Sequence, residues 1–357
     1  MNEELLFFVF LLAPPIAGEL LLLLWLFQNF RHRPGKLGWK RVLLFNALSI
    51  LVLVTLAGLG GEMYYRYIYD TTDALAYTKV AKRWKERYYV RNSAGFRDNI
   101  EYTTQRQPGK RRITFLGDSF TVGHGIKSVE DRFVNLIRAS HPEWEVHMFA
   151  LLGLDTGREI EVLKTMRANR DGYELDQVVL VYCLNDIADL FKDWDATVSE
   201  IFSDQTRGGW LREHSYFFDT VYHRYKAAHD PRISEYYSFV RDGYRGPQWQ
   251  SQQVRLQQLR DYVAANGGRL LVVTWPFLHL EGEHYEYQSV HGQLDQFWKG
   301  LGVPHLDLQP VFAAEPPGRT TVNRYDPHPN EYANQLAARA IDQFLGAEIP
   351  SRSPAKP

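Results

Sequence analysis

From residue 112 onward, short apolar runs alternate with longer stretches whose apolar residues fall three and four apart. The runs are 113–116, 146–152, 178–182, 270–274 and 305–308, and the helical spacing recurs at 129–139, 156–170, 250–265, 285–301 and 331–345. Continuous apolar runs of this length suit strands buried on both faces, and the intervening period suits helices that cross from one strand to the next. The alternation predicts an α/β domain: a three-layer, parallel five-stranded sheet sandwiched by helices.

Before residue 112 the pattern changes. Residues 5–30 are almost entirely apolar, residues 31–41 are basic, and a second apolar run covers 42–59. Each run approaches the length that crosses a ~30 Å hydrocarbon core, and Lys and Arg between two spans favour the cytoplasmic side. Two transmembrane helices joined by a basic cytoplasmic loop are therefore expected, with the rest of the chain on the outer side. Asn2-Glu3-Glu4 lacks the basic start of a cleaved signal, so the first run is read as a retained span. Pro14, Pro15 and Glu19 interrupt it; a tilted helix with Glu19 facing its neighbour is the expectation.

The organisation that follows is an anchor at 1–60, a connector at 61–111 packing on the soluble domain, a domain at 112–346 and a disordered tail at 347–357. In the connector, Tyr64, Tyr65 and Tyr67 suit a membrane interface, Phe96 is a candidate anchor, and Arg97 is expected in a structural ion pair. Residues 187–247 break the βα rhythm and are crowded with Trp, Tyr and Phe. A segment of that length is read as an inserted cap with its own helices, hung over one edge of the sheet.

Composition removes several alternatives. The net charge is -1, so nothing points to nucleic acid, and a single cysteine, Cys183, excludes an intramolecular disulfide. No His-Glu-x-x-His or paired-cysteine spacing occurs; neither a catalytic metal nor another cofactor is expected.

Three polar clusters stand where an open α/β sheet gathers its ligand-facing loops: Gly117-Asp118-Ser119 after the first run, Cys183-Leu184-Asn185-Asp186 after the third, and Asp326-Pro327-His328 before the last helix. A serine hydroxyl needs a base and a group to fix the base's tautomer, and His328 is the best-placed base. His124 follows Ser119 on a glycine-rich turn, whereas His279, His284 and His291 are expected on or beside a surface helix.

Gly117-Asp118-Ser119, Gly153, Asn185 and Asp326-Pro327-His328 together resemble the four sequence blocks of the SGNH/GDSL hydrolases, over roughly residues 92–345. The resemblance implies a flavodoxin-like sheet order, 2-1-3-4-5. It also implies Ser119 as nucleophile, His328 as base, Asp326 as the carboxylate orienting it, and an oxyanion hole from Ser119, Gly153 and Asn185. Asp118, His124 and Asp186 are carried as substrate-binding candidates. The sequence departs from the family in starting the third block with Cys183 and in leaving only Pro327 between Asp326 and His328. Asp326 can accordingly orient the imidazole, or cap the last helix while a backbone carbonyl takes that task.

The implied chemistry is acyl transfer by an envelope-anchored serine esterase or O-acyltransferase on esters of a glycan or exopolysaccharide. Its expected location is the outer face of a bacterial cytoplasmic (inner) membrane, on the periplasmic side. Two alternatives accompany it: a lipid esterase, and a non-catalytic assembly or binding subunit docked on a multispanning membrane partner.

Overall fold

The computed structural model describes residues 16–28, 31, 38–169, 172–191, 196–197, 200, 209–282, 284–316 and 318–349. Pro14, Pro15, the basic loop at 32–37, parts of the insertion and the tail from 350 lie outside them.

Strands β1 (Arg111–Gly117), β2 (Trp144–Ala150), β3 (Gln177–Cys183), β4 (Arg269–Trp275) and β5 (His305–Asp307) form one parallel sheet in the order β2-β1-β3-β4-β5. Every apolar run read as a strand is one, and the order is that implied by the family resemblance. β3, in the middle, is buried along its whole length, which is why Val178-Val179-Leu180-Val181 shows no alternation. Right-handed crossovers place the helix after β1 on one face and those after β2, β3 and β4 on the other. The packing agrees: Phe133–Ser140 lies against Glu331–Glu348, and Thr156–Asn169 against Pro247–Ala265.

A small antiparallel hairpin, β6 (Thr321–Asn323) with β7 (Asp326–Pro329), stands apart from this sheet and leads into the last helix. Asn330 caps that helix by accepting the Ala333 N–H at 3.0 Å. In the connector, Thr78 caps the helix Lys79–Tyr88. Phe96 is buried and stacks on Phe149, with ring centres 5.1 Å apart. Arg97, expected in an ion pair, instead spends its donors on carbonyl oxygens, including Gly123 at 2.6 Å and Tyr88 at 3.1 Å. It thereby pins the turn that follows Ser119.

The chain divides into two compact units, 71–209 with 222–357, described above, and 1–70 with 210–221. In the second, the helix Trp39–Met63 runs on into a wider turn, Tyr64–Ile68. Among the described residues Val42–Ile68 is the one helix long and apolar enough to cross a membrane; Ile16–Gln28 is apolar but shorter. Thr55 Oγ1 donates to Glu19 Oε1 at 3.5 Å, so Glu19 does face a neighbouring helix. Near its end Glu62 accepts from Arg66 Nε and Ser215 Oγ, both at 2.7 Å, and from the Phe217 N–H at 3.0 Å. A carboxylate borrowed from another element thus caps the helix Tyr216–His229.

Candidate active site

The site lies at the carboxyl ends of β2, β1 and β3, where register aligns Gly117 with Ala150 on one side and Val181 on the other. Ser119, Gly153 and Asn185 follow these three adjacent strand ends within a few residues. Ser119 starts a single helical turn, Ser119–Val122, ended by Gly123 in the left-handed region at φ 73°. Gly117 has little room for a side chain, since a Cβ there would collide with Thr121 Oγ1 and sit 3.1 Å from the Val181 carbonyl oxygen.

Ser119 Oγ is 2.8 Å from His328 Nε2, across 209 positions of chain. His328 Nδ1 is 2.6 Å from Asp326 Oδ1, which also accepts the His328 backbone N–H at 3.1 Å. The carboxylate beside Nδ1 fixes the tautomer: Nδ1 carries the proton and Nε2 is free to accept from the serine. The shortened Asp326-Pro327-His328 spacing is thus compatible with an orienting carboxylate, because β7 brings both side chains round to one another. Helix capping, the other option for Asp326, falls to Asn330.

Burial pulls the His328 imidazole toward neutrality, but the charge and hydrogen bond of Asp326, with Asp118 and Asp73 farther off, raise its pKa above the ordinary value. Burial likewise opposes the charge on Asp326. Yet His328, His124 and the Thr72 hydroxyl hold that carboxyl down at about 2.

Gly153 is exposed, with φ 70° and open space around it, and Asn185 is half-buried with a covered Oδ1 that lacks a hydrogen-bond partner. A developing oxyanion needs donors, so at these strand ends it is the Asn185 Nδ2 and the backbone N–H groups, not the unpartnered Oδ1, that are of the right kind.

Asp118, His124 and Asp186, the substrate-binding candidates, are each at most 2% exposed, and the contacts described for them are with the chain itself. Asp118 accepts the Phe120 N–H at 2.9 Å and so caps the Ser119 turn. Asp186 accepts the Cys183 N–H at 2.9 Å and closes the Asn185 turn. His124 lies behind the reacting pair: its ring packs edge-on to His328 at 4.7 Å, and its Nε2 is 3.1 Å from the Asp73 carbonyl and 3.5 Å from Asp326 Oδ2. Potential ligand atoms of His124, Asp326 and His328 lie within 4.8 Å of one another. Those atoms are already engaged in the contacts just described, which makes the group an acid–base cluster.

Two features escaped the sequence reading. Thr72, in the connector, donates its hydroxyl to Asp326 Oδ2. His279 is on the turn Leu278–Leu280 after β4, which packs on β7, rather than on a surface helix. Its ring is 4.4 Å from Tyr237, and both ring nitrogens are covered and without a partner among the described residues. Burial and the proximity of His328 push its pKa down to about 4. His291 is buried too, bonded to Asp307 Oδ1 at 2.7 Å, and only His284 of the three is exposed.

The described part of the insertion supplies the helix Tyr236–Gly243, which packs on the Asn185 turn. Between them is a cleft of about 580 Å³ lined in part by Leu190, Phe191, Tyr236 and Phe239.

No family model and no curated protein matches the chain. Among solved structures it is similar to TesA, at 12% identity and a TM-score of 0.40, covering 66% of this chain and 99% of that one. It is also similar to a lipolytic protein of the G-D-S-L family from Veillonella parvula, at 14% identity and a TM-score of 0.41, covering 68% and 100%. A third is a catalytic mutant of Axe2, an acetylxylan esterase from Geobacillus stearothermophilus, at 14% identity and a TM-score of 0.40, covering 67% and 95%. The chemistry considered next rests on distances within this chain.

Proposed function

We propose that the chain is a serine ester hydrolase or O-acyltransferase of the SGNH type. The observation that carries this reading is the relay from Ser119 Oγ to His328 Nε2 at 2.8 Å and from His328 Nδ1 to Asp326 Oδ1 at 2.6 Å. In the reaction, the Ser119 hydroxyl gives its proton to His328 Nε2 as its oxygen bonds to the ester carbonyl carbon. Negative charge gathers on the former carbonyl oxygen, facing the Ser119 and Gly153 N–H groups and the Asn185 amide. Collapse breaks the bond to the alcohol, which leaves with the proton from His328, and Ser119 keeps the acyl group. Water or another hydroxyl then repeats the sequence in reverse, giving hydrolysis or transfer.

The acyl groups we propose are short and carried by glycan hydroxyls, with the insertion bounding the alcohol side of the site. The apolar helix Val42–Ile68 supports a membrane tether, and the basic residues at 31–41 favour an extracytoplasmic domain.

Incubating the detergent-solubilised protein with a fluorophosphonate probe is expected to label Ser119, and p-nitrophenyl acetate is expected to be cleaved. Ser119→Ala should abolish labelling and lower turnover by about 10³-fold or more. Parent-like turnover in that variant would refute the reading. Ser119 left unlabelled in a preparation that holds a stoichiometric partner would favour a non-catalytic subunit instead. Rates that rise with acyl length would favour a lipid ester.

A further inference from the structure

We infer that residues 71–73 form a strap that completes the acid–base pair, with the Thr72 hydroxyl as a positioning residue for Asp326. This goes beyond the proposed ester chemistry and, in its kinetic arm, rests on it. Asp326 has two oxygens and two sets of partners. Oδ1 is taken by the Nδ1 and backbone N–H of His328. Oδ2 accepts from Thr72 Oγ1 and lies 3.5 Å from His124 Nε2. A carboxylate at 0% exposure with one oxygen unpaired would carry a large desolvation cost and would gather its charge on the oxygen that meets the imidazole. Thr72 offsets both, across 254 positions of chain.

The strap is built as part of the site. Asn323 Nδ2, at the end of β6, donates to Thr71 Oγ1 at 2.9 Å and to the Thr72 carbonyl at 3.1 Å. The Ala74 N–H donates to the Tyr325 carbonyl at 2.9 Å. Asp73 then folds the following residues around its own carboxylate, accepting from the Tyr77 N–H at 3.0 Å and Thr78 Oγ1 at 2.7 Å. Its carbonyl receives His124 Nε2. Burial keeps His124 neutral despite Asp326, so it serves as a single-proton donor and not as a competing cation. The hairpin bearing Asp326 and His328 is held at both oxygens of the one side chain that joins them.

Losing the Thr72 donor leaves the Asp326 charge less shared, and the imidazolium bonded to its Oδ1 is then held more tightly. The other ionisable groups around that ring are Asp118 and Asp73, which favour its charge, and His124 and His279, whose own pKa values burial lowers. None of these changes in Thr72→Val.

The test uses the full-length protein in detergent. Thr72→Val should lower kcat/KM for p-nitrophenyl acetate about tenfold and move the acid limb of its pH profile upward by about half a unit. Thr72→Ser should retain both parent values. Histidine-selective NMR, with the His328 signal assigned by its loss in His328→Gln, should show the same upward displacement without reference to turnover. Thr72→Val with the parent limb and the parent imidazole titration would overturn the strap, as would equal losses in Val and Ser variants. A parent protein that cleaves no ester strikes the ester reading alone, since the imidazole titration still decides the strap.

Discussion

Around the Ser119 turn lie three buried carboxyl groups, two of which, Glu159 and Asp186, have oxygens without a hydrogen-bond partner among the described residues. Asp118 is pushed up to about 6 by burial, and burial raises Glu159 and Asp186 further above the carboxylate range, each worsened by its acidic neighbours. Both Glu159 oxygens lack a hydrogen-bond partner. A raised pKa in the folded state means that the native protein binds the proton more tightly than the unfolded chain. Stability from this group is therefore greatest below the unfolded value and is lost as pH rises toward the folded one. Glu159→Gln, which mimics the protonated form, should raise the melting temperature at pH 8 and leave it nearly unchanged at pH 4.

The pair that does the proposed chemistry gives the opposite kind of dependence. Catalysis needs neutral His328, whose pKa is raised, so kcat/KM should fall on the acid side with a midpoint above 6.5. A midpoint well below 6.5 in a pH–rate profile would contradict the geometry around Asp326.

The closeness of Ser119, His328 and Asp326 was legible because the proposed nucleophile, base and carboxylate stand beside strand ends or helix starts. Asp118, His124 and Asp186 stand in the same positions yet face inward. A polar residue beyond a strand can point to solvent or close its own turn, and residue type alone does not choose between them. Thr72 had no signal at all: one threonine in a connector gains meaning only from the carboxylate it meets.

At the scale of elements, long buried strands and helices of regular period were readable, since their pattern is set by burial. The hairpin β6–β7 was not. Strands of three and four residues, Thr321–Asn323 and Asp326–Pro329, are too short to show alternation, and Asp-Pro-His reads as a turn. The strap 71–73 and the turn it leads into, 74–78, were missed for a similar reason, as the order of that turn comes from the Asp73 carboxylate and not from any repeat.

Two local features give measurable expectations. Gly117→Ala forces Thr121 or β3 to move and should cost about 1–3 kcal/mol in chemical denaturation. Asn330→Ala removes the cap of the helix Glu331–Glu348 and should cost about 1 kcal/mol. Because that cap directly follows the hairpin, the same variant should lose ester turnover faster on warming than it loses helical signal.

For the molecule as a whole, the βα domain was readable from its rhythm, and the apolar N-terminal helices from composition. Leu43, Ile50, Leu53, Val54 and Leu56 are exposed along the longer helix, a surface that suits lipid. The full chain is therefore expected to stay with the membrane pellet through alkaline carbonate extraction and to leave it with detergent; release by carbonate alone would count against a span.

The proposed reacting groups are also spread along nearly the full order of synthesis. Thr72 emerges early, Ser119 soon after, and the hairpin with Asp326 and His328 only near the end. A growing chain thus carries an unarmed serine until its last strands fold back over more than two hundred residues. Such distant closure is slow and comes late. On the proposed chemistry no ester is cleaved until the domain is finished, so chemical competence itself would report complete folding.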